Sequence, residues 1–447
     1  MTLRRALPWL LVALAIAVWA GPLQHGWYAD AVITDIPVYR EAAERMMDGG
    51  VPYRDFSLEY PPLAAGLFLL VGLVPGDFAI AFQVAMAACL CATVLGVVAT
   101  ARALGLSPAR QAAAGALVAV SPLLLGNLVE SRFDLALTAL LSWTLYAAVA
   151  GRRRLMWSLF AAATLTKLIP LALAPVLVLY DRRRAGGRAA WGGLAAALGA
   201  SALVAVPFVA LSPSGTWDMV EYHLDRPLQI ESLGAAYLLG LDVLADIPIR
   251  VVDTFGSQGL EGRGPEVIAG LTSLAALAAV VAIAACFRSL LGRAGPPADA
   301  RLLAAAWAAT TAALLAGGKV LSPQFLLWLL PAAFLVTGRY GPATAGVAIL
   351  AMLLTQAYFP HRYWDLVALG RPEIGFLVLR DLALVGLVAA AWPRRSVAAQ
   401  AGGALPWHGK GAPPPAPESA VAARFLVEGP RPSARQGARR ALGRGNS

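Results

Sequence analysis

The sequence predicts an all-α polytopic membrane protein with about 10–13 transmembrane helices and an external first loop that carries a surface helix. Three observations support this fold class. Of the 447 residues, 59% are hydrophobic and only 14% are charged, a composition typical of membrane proteins. Apolar runs close to the roughly 20 residues that span hydrocarbon recur along almost the whole chain. Alternating strand patterns are absent, so the spans are expected to be helices rather than barrel strands.

Clusters of arginine between the apolar runs predict the orientation, because loops rich in Lys and Arg stay cytoplasmic. The first span, about residues 6–22, is expected to remain in place as a helix, because it lacks a clean cleavage site and further spans follow. It leads outward to the loop Gly21–Tyr60, whose seven acids and three arginines suit the outer face. The clusters placed inside are Arg4–Arg5, Arg102–Arg110, Arg152–Arg154, Arg182–Arg188, Arg288–Arg293, Arg339 and Arg394–Arg395.

Three of the elements that follow are expected to lie on the membrane surface or to reach the outer half of the membrane. In the first loop, Val38–Met47 has apolar and charged residues at helical spacing, which predicts a helix on the membrane surface. The run 63–74 is too short to cross and is expected to form a half-helix on the outer side. The stretch 155–180 connects two inside clusters, so it is expected to form two short helices that meet where Pro170 breaks the chain.

The rest of the body is expected to consist of spans joined by short loops. Ser212–Ser232 is predicted to be a second external polar loop, and 233–266 leaves a re-entrant segment open. Residues 1–395 are predicted to form the membrane domain, and residues 396–447, rich in Gly, Pro and Arg, a disordered basic cytoplasmic tail. The remaining predicted spans are 78–100, 111–126, 135–150, 190–211, 267–287, 301–316, 320–337, 342–359 and 376–392.

Charge and cysteine content exclude several classes of protein. The net charge is +10, but the chain from Trp392 onward holds nine Lys or Arg against two Glu, so the charge is largely a property of the tail and does not indicate nucleic-acid binding. Cys89, Cys91 and Cys286 lie inside apolar runs and are expected to be core residues without disulfide or metal spacing. No metal ion and no cofactor is expected.

The polar residues at membrane depth gather on the predicted outer side, and each cluster has a structural alternative. Asp35 could cap the helix that follows it, and Glu59-Tyr60 could anchor the chain at the interface. Arg132 and Asp134 could form a local ion pair. Similarly, His223–Glu231 could be a hydrophilic loop. Lys167 is harder to explain structurally, because a solvated lysine needs no proline-broken hairpin around it.

Taken together, the clusters predict one external cavity with an acid near the surface helix and cations at its membrane edge. Ionisable groups at membrane depth are costly and usually functional. Cations at that depth, Lys167, Arg226 and Lys319, suit a lipid phosphate, and a carboxylate above them suits a general base acting on an incoming hydroxyl. The hypothesis is lipid-phosphate sugar chemistry, and no Gly-rich nucleotide loop indicates a soluble nucleotide donor.

Six segments of the chain resemble glycosyltransferase family 87, in the same order and spacing over roughly residues 1–395. These are polytopic GT-C-fold enzymes that include polyprenyl-phosphate-mannose-dependent α-mannosyltransferases. The large external C-terminal domain of some GT-C enzymes is not expected here. The segments that carry the resemblance are Asp35–Arg40, Gly49–Phe56, Glu59–Leu63, Thr166–Pro170, Arg226–Ser232 and Lys319–Pro331.

The resemblance implies an inverting membrane glycosyltransferase of the cell envelope. It would transfer a hexose, with mannose expected, from a polyprenyl-phosphate donor to a glycolipid or glycan acceptor at the extracytoplasmic face of the plasma membrane. Asp35 would be the general base, and Lys167, Arg226, Lys319 and His223 would bind the donor phosphate. Further substrate-binding residues are expected to be Tyr39, Glu59, Tyr60, Arg132, Asp134, Gln229, Glu231 and Gln324.

Two other classes of function stay open. A lipid-linked sugar flippase or other transporter would also use many helices and cations at depth, but it would be expected to need a polar path to both faces and often an internal repeat. A non-catalytic scaffold for envelope assembly is the third class. The acceptor, the oligomeric state and the exact helix count are left undetermined by the sequence.

Overall fold

The computed structural model describes residues 3–31, 33–246 and 248–398. Almost all of the predicted tail, 396–447, therefore lies outside the described residues. In the first half of the chain the helices are α1 (Leu3–Ala20), α2 (Trp27–Asp30), α3 (Ile36–Met47), α4 (Pro62–Gly72), α5 (Phe78–Ala103), α6 (Pro108–Ala119), α7 (Ser121–Leu125), α8 (Leu128–Ser131), α9 (Asp134–Val149), α10 (Arg153–Thr166) and α11 (Ala174–Ala185).

The second half of the described chain adds nine further α-helices and a small sheet. The helices are α12 (Gly187–Leu211), α13 (Pro213–Asp225), α14 (Leu233–Ala245), α15 (Arg263–Leu290), α16 (Pro296–Gly317), α17 (Gly341–Tyr358), α18 (Tyr363–Val367), α19 (Arg371–Ala391) and α20 (Arg395–Ala398). The strands are β1 (Leu228–Gln229), β2 (Arg250–Thr254) and β3 (Ser257–Glu261). Short 3₁₀ helices lie at Pro22–Gln24, Ile169–Leu173, Pro323–Leu329 and Ala333–Leu335.

The predicted helical, multi-pass membrane architecture is confirmed. Seven helices of the described chain are long and apolar enough to cross a membrane: α1, α5, α12, α15, α16, α17 and α19. Four shorter apolar helical segments accompany them, so the predicted ten to thirteen crossings would have to include helices below spanning length. Among the seven, α16 is almost wholly buried, whereas α12 is mostly exposed, which places α16 in the centre of the bundle and α12 at its surface.

Local sequence signals account for the helices at the end of the bundle that was predicted to face outward. The surface helix α3 buries Ile36, Tyr39 and Ala43, and α4 spans only 11 residues, as expected for the run 63–74. The hairpin of α10 and α11 breaks at Lys167, where the backbone is extended, and resumes as a 3₁₀ turn containing Pro170. Proline has no N–H for the helical ladder, which explains the break.

Two predictions about the second half of the chain were wrong. The expected span 320–337 is a buried segment with two 3₁₀ helices, because Pro323 and Pro331 interrupt an α-helix and the surrounding protein shields the irregular backbone from lipid. The expected polar loop Ser212–Ser232 contains the helix α13, which the Ser212 hydroxyl caps by accepting from the Gly215 N–H.

The stretch 233–266, for which a re-entrant segment was left open, contains α14 and the hairpin of β2 and β3, which forms a three-stranded antiparallel sheet with β1. Its strand order is β1-β3-β2, with Leu228 paired to Leu260 and Val252 paired to Gly259. The strands have two to five residues and include Gly and Asp, so no alternating pattern announced them. The hairpin of β2 and β3 lies beside the cavity described below.

The arginine-rich connections meet at one end of the bundle. Hydrogen bonds, an ion pair and a cation–π contact join connections that are far apart in the chain, as expected if these connections lie on one side of the membrane. The contacts are Arg110 Nη2 to Val336 O (2.8 Å), Arg301 Nη2 to Leu104 O (3.3 Å), Arg183 Nε to Asp299 Oδ2 (3.7 Å) and the Arg394 guanidinium over the Tyr340 ring (4.1 Å). The polar residues singled out by the sequence lie at the opposite ends of the same helices.

Candidate active site

A cavity of about 1260 Å³ lies at the end of the bundle opposite the arginine-rich connections. Its wall combines residues from the first loop, the break between α10 and α11, the end of α13, the β2–β3 hairpin, α15, the end of α16 and the segment after it. The predicted site residues that line it are Asp35, Glu59, Tyr60, Arg132, Lys167, His223, Arg226, Gln229, Glu231, Lys319 and Gln324. The two others, Tyr39 and Asp134, do not line the cavity but contact residues that do.

Asp35 occupies the N-cap position of α3, but its carboxylate makes no capping hydrogen bond. Instead, Asp35 Oδ1 lies 2.5 Å from Arg132 Nη1, and Oδ2 accepts a hydrogen bond from the Tyr39 hydroxyl at 3.3 Å. Burial raises the pKa of Asp35 above its ordinary value, and Arg132 opposes that shift. The arrangement holds a partly exposed carboxylate in a fixed direction at the cavity wall, which suits a general base.

Lys167 is held by a buried carboxylate and three aromatic rings. Its Nζ lies 2.6 Å from Asp134 Oδ1, which also accepts from Trp328 Nε1 at 2.8 Å. Phe133, Phe325 and Trp328 place their rings 4.8–5.2 Å from the ammonium. The alternative of a local Arg132–Asp134 pair is therefore not what forms, because each residue pairs with a partner from another part of the chain.

Arg226 and Lys319 line the cavity without an acidic partner within 4 Å in the part of the chain that the structure describes. Arg226 Nη2 donates to the Ser257 hydroxyl at 2.7 Å, and Lys319 Nζ donates to the carbonyl of Leu224 at 2.5 Å. Burial lowers the pKa of Lys319. Two cations held by neutral oxygens keep their charge available to an anionic ligand.

His223 and Glu59 form a second polar contact in the cavity wall. The His223 Nε2 atom lies 2.9 Å from the carbonyl oxygen of Glu59, so that nitrogen is the donor. Burial lowers the pKa of His223, which favours the neutral ring near neutral pH. A neutral imidazole with one nitrogen already bonded can contribute a hydrogen bond but little charge.

Gln229 and Glu231 belong to a buried polar network. Gln229 Nε2 donates to the Ser322 hydroxyl at 3.2 Å and to Glu231 Oε2 at 3.4 Å. The Tyr358 hydroxyl donates to Glu231 Oε1 at 3.1 Å, and Arg380 Nη2 donates to the Glu231 carbonyl at 2.5 Å. Burial raises the pKa of Glu231 to about 7, so this carboxyl is partly protonated at neutral pH.

The sequence-based reasoning missed several residues of this site. Trp328 and Tyr222 line the cavity, and Arg380 lies behind it fully buried. For Arg380 a signal was available, since the Arg380-Asp381 pair interrupts an apolar run. The aromatic residues gave no such signal, because Trp and Tyr are common in membrane helices and at interfaces.

The other part of the cavity is apolar and open to the side of the bundle. Along α15 its lining runs from Ser273 to Ala284, about 16 Å of helix at 1.5 Å per residue. Leu277 and Val281 line the cavity and yet are 61% and 60% exposed, so this part of the wall opens toward the lipid. The 3₁₀ segment Ile169–Leu173 contributes further apolar side chains to the lining.

Fold and cavity together define a multi-pass membrane protein with an amphipathic cavity that opens laterally. No protein-family model matches the chain, and no curated protein matches its sequence. The resemblance to family 87 therefore stays a prediction. Among solved structures, ArnT from Cupriavidus metallidurans, crystallised with undecaprenyl phosphate, is similar at a TM-score of 0.44 and 17% identity over 87% of this chain and 77% of that chain. In the described residues, no group of three or more His, Cys, Asp or Glu is arranged to hold a metal ion.

Proposed function

We propose that the protein is an integral membrane glycosyltransferase of the GT-C type that uses a polyprenyl-phosphate-linked hexose, with mannose expected, as its donor. The acceptor is a glycolipid or glycan hydroxyl at the extracytoplasmic face. The observation that carries the proposal is the cavity itself, which joins a fixed carboxylate, two cations with no acidic partner within 4 Å among the described residues, and an apolar groove open to lipid. Each part matches one part of the reaction: acceptor hydroxyl, donor phosphate and polyprenyl chain.

Asp35 is the proposed general base. Its carboxylate takes the proton of the acceptor hydroxyl as that oxygen attacks the anomeric carbon of the donor sugar. The bond from the anomeric carbon to the phosphate oxygen breaks, and the electron pair leaves with the polyprenyl phosphate. Arg132 and Tyr39 hold the carboxylate in place, and the single displacement inverts the anomeric configuration.

Arg226 and Lys319 are the proposed partners of the leaving phosphate. Negative charge grows on this group as the bond breaks, so cations placed there in advance stabilise the transition state more than the ground state. His223 adds a hydrogen bond. Lys167 contributes less to binding the phosphate than its position in the sequence indicates, because Asp134 already compensates its charge.

The transporter alternative finds less support. The polar lining is concentrated at one end of the cavity, and beyond it the lining along α15 is apolar as far as Ala284. A flippase for a lipid-linked sugar would need polar contacts that continue toward the other face. The arginine-rich connections at the opposite end line no part of this cavity in the described chain.

The proposal is tested with purified protein in lipid nanodiscs supplied with radiolabelled polyprenyl-phosphate mannose and a membrane-lipid extract. We expect label to move into an acceptor while free polyprenyl phosphate appears in equal amount. The double substitution Arg226→Gln/Lys319→Gln is expected to abolish transfer, whereas Arg263→Gln, outside the cavity, is expected to leave it unchanged. Label that crosses the bilayer still attached to the donor, without transfer, would replace the enzyme with a flippase.

A further inference from the structure

Aromatic side chains from three separate elements line the polar end of the cavity, and the proposed donor chemistry uses none of them. Tyr222 and Phe255 come from α13 and from the tip of the β2–β3 hairpin. Tyr363 and Trp364 come from α18. A polyprenyl chain would occupy the apolar groove along α15, so these rings are left for another ligand.

The hairpin tip places Phe255 in a backbone conformation that bulky residues rarely adopt. Phe255 has φ +51° and Gly256 has φ +63°, the two positive values of a tight hairpin turn in which Asn-Gly is the usual pair. The Tyr222 hydroxyl donates to the Phe255 carbonyl at 2.6 Å, and the two rings meet edge to face at 5.2 Å. Strain of this kind persists where the surroundings impose it and is concentrated at functional sites.

Helix α18 supplies an aromatic ring that lines the cavity and is exposed. Tyr363 is buried, and its ring meets that of Trp364 at 5.3 Å. Trp364 lines the cavity and is 62% exposed. Asp253, on the strand before the hairpin tip, adds an exposed carboxylate to the same wall.

This combination of groups distinguishes between two classes of acceptor. A lipid alcohol offers an alkyl chain and one hydroxyl, and it needs apolar surface only. A saccharide offers a face of C–H bonds that packs on an aromatic ring and a rim of hydroxyls that bonds to carboxylates and amides. An exposed indole and an exposed carboxylate in the wall of one cavity fit the second class.

Resting on the proposed glycosyltransferase function, we propose that the hairpin tip and α18 form the acceptor subsite, and that its acceptor is a saccharide whose ring packs on Trp364 while Asp253 bonds its hydroxyls. The enzyme then extends an existing glycan rather than glycosylating a bare lipid alcohol. Phe255 and Tyr222 close the subsite next to Arg226, where the donor phosphate is proposed to lie.

An exposed tryptophan in a membrane protein also occurs as an interfacial anchor, and the chain contains a matched control for that role. Trp217 on α13 is 57% exposed but does not line the cavity. An anchoring effect would be expected at both positions, whereas acceptor binding involves Trp364 alone.

The experiment measures transfer in nanodiscs to two kinds of acceptor probe, octyl hexosides of gluco, manno and galacto configuration and the plain alcohol dodecanol. Trp364→Ala is expected to raise the KM for the accepted hexoside about tenfold and to leave the KM for the lipid donor unchanged. Trp364→Phe keeps a ring and is expected to recover most of that loss. Trp217→Ala is expected to match wild type.

Binding of the radiolabelled octyl hexosides, measured without donor, provides a readout that does not depend on transfer. We expect wild type and Trp217→Ala to bind one of them and Trp364→Ala to lose it. The proposal is overturned if no hexoside binds, if Trp364→Ala binds as wild type does, or if dodecanol is the better acceptor. Hexoside binding without any transfer would instead keep the subsite and remove the proposed enzymatic function.

Discussion

Replacing Asp134 with Asn removes the negative partner of a lysine that has little access to water. Lys167 Nζ lies 2.6 Å from Asp134 Oδ1, and the two side chains are 16% and 1% exposed. Asn can still accept the hydrogen bond that Trp328 donates, so the substitution changes the charge more than the shape. An uncompensated buried charge is expected to lower the free energy of unfolding by about 3–5 kcal/mol, measured by dodecyl sulfate titration in mixed micelles.

A double-mutant cycle separates the ion pair from the packing around it. Lys167→Met alone is expected to destabilise the protein by a similar amount, because it leaves the Asp134 carboxylate unpaired. The double substitution Asp134→Asn/Lys167→Met is expected to return to within about 1 kcal/mol of wild type. The control is Arg45→Gln at the exposed Arg45–Glu41 pair, expected to cost less than about 1 kcal/mol. Additive effects in the cycle, or an Asp134→Asn variant as stable as the control, would refute the reasoning.

Three further predictions concern pH and orientation. Because the base must be ionised, activity is expected to fall as pH drops through the raised pKa of Asp35. Arg132→Gln removes the cation that opposes this rise in pKa, so the acid limb of the pH–rate profile should move to higher pH. An acid limb that does not move would contradict the pairing of Arg132 with Asp35. The pKa of Glu231 is about 7 against an ordinary 4.5, so the folded protein holds a proton that the unfolded chain releases, and the free energy of unfolding falls as pH rises from about 4.5 to about 7. Glu231→Gln should remove roughly 3 kcal/mol of this pH dependence. An unchanged dependence of the unfolding free energy on pH would contradict the raised pKa. In a cysteine-free background, Ser214→Cys on α13 should react with an impermeant maleimide from outside intact cells and Ser289→Cys only from inside, whereas labelling from the same side would overturn the topology.

The membrane fold could be read from the sequence where hydrophobicity alone decides the structure. Long apolar runs became helices, and the short run after Pro62 became the short helix α4, because the length of an apolar run limits what it can span. The segment 320–337 did not form the predicted transmembrane helix. Tertiary burial, which hydropathy does not measure, protects its irregular, proline-interrupted backbone from lipid. The β2–β3 hairpin depends on pairing between short strands with little pattern of their own.

At the candidate site, residue types were easier to foresee than their partners. The sequence reasoning placed Asp35 and Lys167 in one cavity, but local spacing left open that Asp35 caps a helix and that Arg132 pairs with Asp134. The structure exchanges these partners, Arg132 with Asp35 and Lys167 with Asp134, because helices distant in the chain pack side by side. Pairings of this kind are properties of the packed bundle and leave no trace in a short sequence window.

The proposed role of Asp35 in sugar transfer is tested most directly by comparing wild type with Asp35→Asn in nanodiscs that contain labelled polyprenyl-phosphate mannose and an acceptor extract. Asp55→Asn serves as the matched control, because Asp55 lies in the same loop, is exposed and pairs only with its neighbour Arg54 and the backbone of Val51 in the described chain. Asp35→Asn is expected to bind donor as wild type does and to lose transfer by about 10²–10⁴-fold, with Asp55→Asn unaffected. Transfer by a well-folded Asp35→Asn variant at the wild-type rate would contradict the proposed mechanism.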